Sequence, residues 1–303
     1  MTRVPAVAGT VRPTRPGRLV LGSAAAGVLL AVLWSYELVD HVIGANVANA
    51  LLGEDAATAS IAGTAAGLAF AFVSGLAGTF TACNIAMAAS IGPMSQASGA
   101  ASGTARALAR PLGWFTAGMV GVSAVYGAVG VLVGTSLPQL STATVGAMPV
   151  RLVQSAVVFG VVGLALTYLG LAALGVVPDL FRARPVARVV VLGALVGAFL
   201  IGRPYPLFIK LFRSAVESGN PLYGAGTFVL QSIGNILLAV IVFTVLALAT
   251  KGRFLRWLGG NQRRTAVVSS ALLIALGVFL LVYWDVRVPA IFGFGWFPTM
   301  PYN

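Results

Sequence analysis

Long apolar runs alternate with short polar links along most of this chain. A run over 19–34 is followed by apolar segments at about 62–91, 112–136, 151–177, 187–212, 223–250 and 266–285. An α-helix rises about 1.5 Å per residue, so some 18 to 20 apolar residues cross roughly 30 Å of hydrocarbon. Each of the later segments reaches that length, and all are too long for barrel strands of about ten residues. The pattern predicts an all-α integral membrane protein with about seven transmembrane helices. An odd number of crossings places the two ends on opposite sides.

Composition agrees with that reading. Of 303 residues, 58% are hydrophobic and 9% charged, far from the usage of soluble domains. The 37 glycines suit membrane helices, which approach one another through small residues. The net charge of +12 loses its nucleic-acid meaning once the charges are placed. Arg3, Arg12, Arg15 and Arg18 lie in the N-terminal tail, Arg106 and Arg110 in a later link, then Arg182, Arg184 and Arg188, and finally Lys251 to Arg264. If the links alternate sides, these share one face, which the positive-inside bias makes cytoplasmic.

The expected location is therefore a bacterial-type inner membrane, with a cytoplasmic N-terminus, an extracytoplasmic C-terminus, the lipid bilayer as partner and no nucleic acid. The divisions that follow are a basic tail (1–18), an N-terminal transmembrane helix (19–35), an extracytoplasmic acidic loop (36–60), two three-helix units (61–178 and 179–285) and an extracytoplasmic aromatic tail (286–303). Ala48-Asn49-Ala50 has the form of a cleavage site but lies too far beyond the first run, so that helix is expected to be retained. His41, the single histidine, reads as loop surface, and neither a metal nor a cofactor is expected.

The two units repeat. Arg110-Pro111-Leu112 matches Asn220-Pro221-Leu222, Gly78 and Phe80 match Gly197 and Phe199, and Arg151 and Arg264 each open a third helix. A near-constant separation at three places is a repeat signature. Three helices per unit make the copies inverted in the membrane. Inverted repeats with broken first helices carry their site at the repeat interface, near the midplane.

Two broken segments hold the candidate chemistry. In GLAGTFTACNIAMAASIGPM, the only cysteine, Cys83, stands beside Thr81 and Asn84, with Pro93 interrupting the helix downstream. A reactive thiolate there needs a nearby charge or helix end, and without one the thiol is a packing residue. In Gly202-Arg203-Pro204-Tyr205-Pro206, Pro204 and Pro206 each remove a backbone donor, which predicts a kinked or split helix. A charge at the depth of Arg203 costs at least about 2.5 kcal/mol unless paired or hydrated. Either Arg203 and Tyr205 form a binding site, or the helix ends near Gly202 and Arg203, Lys210 and Arg213 snorkel to the headgroups. Gln231 and Asn235, four residues apart, share a helix face with Ser232 between them. They either hold helices together or line a hydrated path facing Cys83 and Asn84. The absence of paired carboxylates within the apolar segments argues against a proton-coupled carrier.

From about 61 to 285 the chain resembles the CcdA/DsbD transmembrane family of cytochrome c biogenesis and thiol-disulfide relay proteins. In that family each first helix carries a Pro-Cys pair followed by a further proline, and the two cysteines pass reducing equivalents across the membrane. Cys83 with Pro93 downstream is similar to the first site, although Ala82 replaces the preceding proline. Gly202-Arg203-Pro204 occupies the second and has no cysteine. A lone cysteine forms a disulfide only with another chain, so an internal relay is excluded. The resemblance implies thiol-disulfide electron transfer or cytochrome c maturation through Cys83, as a thiol-disulfide oxidoreductase whose second thiol comes from a thioredoxin-like protein or another thiol-bearing membrane protein. The residues alone support an alternative, a small-solute transporter, of anions for example, with its site at the repeat interface around Arg203. A scaffold without chemistry is the third reading.

Overall fold

A computed structural model describes residues 15–53, 55–58, 60–78, 105–249, 261–298 and 300. Nine α-helices of eight residues or more cover most of them: α1 (Pro16–Leu33), α2 (Ala45–Leu52), α3 (Gly63–Ala77), α4 (Ala105–Val133), α5 (Val150–Ala173), α6 (Pro185–Ala198), α7 (Pro206–Glu217), α8 (Pro221–Ala249) and α9 (Gln262–Val282). A short α10 (Val288–Ile291) follows a π-helical turn over Tyr283–Arg287. The strands found among the described residues are two of two residues each, paired as a hairpin over Thr144–Pro149. Proline opens α1, α6, α7 and α8 in their first turns, where its missing N–H costs nothing. Asn261 caps α9, its Oδ1 accepting from the N–H groups of Arg263 and Arg264.

Among the described residues, four helical stretches are long and apolar enough to cross a membrane: Pro16–Leu33, Arg110–Ser136, Val150–Ala173 and Arg263–Ile291. Helices α3 and α6 are apolar but span 15 and 14 residues. At about 1.5 Å per residue, the latter covers only some 21 Å before its break.

Two segments differ from expectation. Pro111 stands inside α4, because the helix begins six residues earlier, whereas Pro221 opens α8 as expected. The stretch read as an acidic loop is largely helical, with a π-helical segment over Glu37–Gly44 leading into α2. Ala48 is fully buried, and Asn49 Oδ1 accepts from Ala56 N at 2.8 Å, folding the following turn back on α2. Packing of this short apolar stripe outweighs its acidic neighbours.

The helices of the two halves pack reciprocally. α3 lies on α8 and α6 on α4; α4 crosses α8, α5 lies on α9, and α1 packs on the outside of α9. Ser123 and Ser232 hydrogen-bond at 2.6 Å where α4 meets α8, and nearby Gly127 and Gly224 each leave no room for a Cβ against the other's backbone. Gly163 and Gly277 do the same between α5 and α9, where a Cβ on Gly163 would stand 2.8 Å from Gly277 O. Small residues thus set the helix spacing, as expected where lipid gives helices little hydrophobic reason to associate. Helix α7 buries Leu211 together with Phe208 and Phe212, and the two phenylalanine rings meet Tyr126 of α4 and Phe228 of α8 at centroid distances of 5.4 to 5.7 Å.

Arg287 fixes α1 to the bundle. It is 3% exposed, and its Nη1 donates at 2.6 Å to the carbonyls of Ala31 and Trp34. These lie at the C-terminal end of α1, where the macrodipole favours a cation.

Candidate functional site

The break between α6 and α7 is the centre of the site. Pro204 and Pro206 supply no N–H, so carbonyls in the preceding turns lose their helical donors. Two glutamines from the other half replace them. Gln154 Nε2, on α5, donates to Ile201 O at 2.6 Å, and Gln139 Nε2, in the link before α5, donates to Arg203 O at 2.5 Å. Irregular backbone at membrane depth is tolerated where such partners satisfy it. Neither glutamine stands out in the sequence. Gln139 is one of several polar residues of its link and Gln154 stands beside Ser155, so only the fold reveals which carbonyl each serves.

Arg203 is 8% exposed. Its Nη2 donates to Gly78 O at 3.1 Å, at the end of α3, and its guanidinium carbon stands 5.8 Å from the Tyr205 ring centroid. A Cβ on residue 78 would collide with the guanidinium, so the approach requires glycine there. The break therefore touches the end of α3 at the glycine that the sequence match pairs with Gly197. Tyr205 is buried too, its ring reaching toward Gly44 of the π-helical segment.

Of the three cations weighed for the headgroups, Arg203 and Lys210 have protein partners. Arg203 is turned inward by the proline break. Lys210 Nζ donates to Ala56 O at 2.7 Å and Ala57 O at 3.1 Å, over the ring of Phe70. Arg213 alone is exposed as expected.

A cavity of about 410 Å³ lies beside the break. Leu200, Arg203, Pro204, Tyr205 and Pro206 form one wall. Met119 and Asn235, which also line it, are the middle residues of the 29-residue helices α4 and α8, so the cavity reaches half-way along the bundle. Toward the other end its lining comes from Arg151 in the first turn of α5, Trp34 just past α1, and Phe292 just past α10. Arg151 and Arg203 are the charged residues of the described lining, which holds no carboxylate. Asp285 is exposed and faces Gly160 instead. The one ion pair among the described residues joins Arg188 to Asp179 at 2.7 Å, so Arg203 has no carboxylate partner there. Pro204 to Pro206 also open α7, whose N-terminus has no side-chain cap. The orphan N–H groups of a first helical turn carry partial positive charge and add to the field of Arg203.

The other expected residues divide. Gln231 is fully buried and its Nε2 donates to Ser74 Oγ on α3 at 3.4 Å, which makes it a link between helices. Asn235 and Ser232 line the cavity. The helix face predicted by the four-residue spacing is real, but its members serve different purposes. Thr81, Cys83, Asn84 and Pro93 lie outside the described residues.

Comparison with protein-family models, curated proteins and solved structures gives no match to this chain.

Proposed function

We propose that this chain is a carrier of small anionic solutes, built as one N-terminal helix and two inverted three-helix repeats, seven crossings in all, in a bacterial-type inner membrane. Arg203 carries the reading. It is a permanent cation, more than nine-tenths buried beside a cavity, with no carboxylate partner among the described residues. A buried charge without a counter-charge is strongly unfavourable, and a bound anion supplies one. The reciprocal packing of α3 on α8 and α6 on α4 supports the inverted repeat. Ser123 and Ser232, 109 positions apart, bond where a two-fold axis would pass. A half-helix N-terminus aimed at an anion near the midplane is a recurring carrier arrangement, and rocking of the repeats about it gives alternating access.

Proteoliposomes holding the full-length chain are expected to take up radiolabelled benzoate or phosphate down an imposed gradient, saturably, with the initial rate at least tenfold lower for Arg203→Gln. Uptake of neither anion, or equal uptake by the variant, would remove the carrier.

One observation keeps a thiol role as the second reading. Gly78, five residues before Cys83 in the sequence, is held by the Arg203 guanidinium, and a cation beside a cysteine would favour its thiolate. Here the Cys83 thiolate attacks a disulfide of a partner, forming a mixed disulfide and releasing the partner's other sulfur as a thiolate. In intact membranes Cys83 is then expected to react with maleimide under reducing but not oxidising conditions, and to be trapped as a mixed disulfide. A thiol inert to maleimide in both states makes it a packing residue.

A further inference from the structure

Resting on the carrier reading, we infer that the anion is amphipathic: an organic monoanion whose carboxylate meets Arg203 and whose apolar body fills the aromatic part of the cavity. The first argument is size. At about 30 Å³ per water in the liquid, a cavity of about 410 Å³ has room for many waters, and an inorganic anion would leave most of it unfilled. Most of that remaining wall cannot hold water by hydrogen bonds. Beyond the two arginines, the chief polar side-chain groups of the described lining are Ser232, Asn235 and the tyrosine hydroxyls, and most of its other residues are aliphatic, proline or aromatic. Cavities of this volume, mostly apolar with a few convergent polar groups, suit ligands with a substantial apolar body.

The second argument is the arrangement of the rings. Phe159 and Trp284 stack at 4.6 Å and 25°, Phe199 meets Phe159 edge-on at 5.5 Å, and Trp34 lies 5.2 Å from Phe279. These rings come from α5, from the segment after α6, and from α1 and α9 with their following turns, and they brace one another. The wall is therefore set before a ligand arrives, which spares the ordering entropy of binding.

The third argument is charge. Arg203 offers one fork of donors, of which one is committed to Gly78 O, and a single carboxylate balances its charge. Arg151, half-buried in the first turn of α5, sits where it attracts an incoming anion. A second charge carried on the part of the ligand among the rings would lose its water without gaining hydrogen bonds from them.

The test is a fluorescence titration of the full-length chain in nanodiscs, since Trp34 and Trp284 line the cavity. The probes are 1-naphthoate, its neutral analogue 1-naphthamide, and inorganic phosphate. Saturable quenching by 1-naphthoate is expected, at least tenfold tighter than by either of the others. Arg203→Gln should weaken 1-naphthoate at least tenfold, and Arg203→Lys, which keeps the charge but loses the fork, should fall between. Phosphate competing as tightly as 1-naphthoate would overturn the amphipathic ligand while leaving the anion site. Equal binding of 1-naphthamide would overturn both, because the charge would then play no part, and it needs no variant to fold. No saturable binding of any probe would also overturn both.

Discussion

Gly118→Val is expected to prevent recovery of a folded, monodisperse protein, while Gly121→Val, three residues along the same helix, leaves it intact. A Cβ on residue 118 would run into the carbonyl of Val190 on α6, whereas among the described residues no atom beyond the helix's own backbone and chain neighbours lies within 4 Å of a Cβ on residue 121. The obstacle at 118 is backbone, which cannot swing aside as a side chain can, so α4 and α6 must separate. Overpacking costs about 1–3 kcal/mol and occasionally more, against a total stability of about 5–15 kcal/mol. Gly193 faces Phe115 O across the same interface, so relief at one contact tightens the other. The reciprocal interface repeats the experiment: Gly75 of α3 meets Gln231 O, and Gly234 of α8 meets Phe72 O. Gly75→Val should match Gly118→Val, and Gly226→Val, with open space around it, should match Gly121→Val. Melting temperature and the monodisperse fraction in detergent measure all four. Equal behaviour of the 118 and 121 variants would mean that small residues do not set the helix spacing.

Those contacts mark what the sequence could and could not convey. Apolar run length reveals helices because a crossing has a fixed thickness, and the broken helix at Gly202–Pro206 was legible because proline's missing N–H acts locally. The match of Arg110-Pro111-Leu112 to Asn220-Pro221-Leu222 was readable too, but it concealed that α4 begins six residues before Pro111. The depth of Arg203 was not legible. Hydropathy treats arginine at a helix end and arginine folded inward after a break alike, and only the contact with Gly78, distant in the chain, separates them. The cavity was equally hidden, because its walls come from α1, α4, α5, α6, α8 and α9 and their links, each contributing a few ordinary apolar residues. The functions of Gln231 and Asn235 diverged because the neighbours of a helix face change within one turn.

Gln139→Leu combined with Gln154→Leu is expected to lower anion uptake and binding at least tenfold while changing stability little. Each substitution leaves a buried carbonyl, Arg203 O or Ile201 O, without its donor, at a cost of about 1–3 kcal/mol. Gln139 Oε1 is itself buried and without a partner among the described residues, and leucine relieves that penalty. The two terms oppose one another, so the melting temperature should move by only a few degrees. Function has no such compensation. The carbonyls lie in the turn that carries Arg203, and a guanidinium displaced by about 1 Å no longer meets Gly78 O and an incoming carboxylate together. Both anchors act on residues 201 to 203, so either alone should still hold the turn, and the double variant should lose more than the two single variants combined. Additive losses would mean that the anchors act independently. Wild-type binding in the double variant would mean that the prolines alone fix the turn, leaving both glutamines no part in placing Arg203.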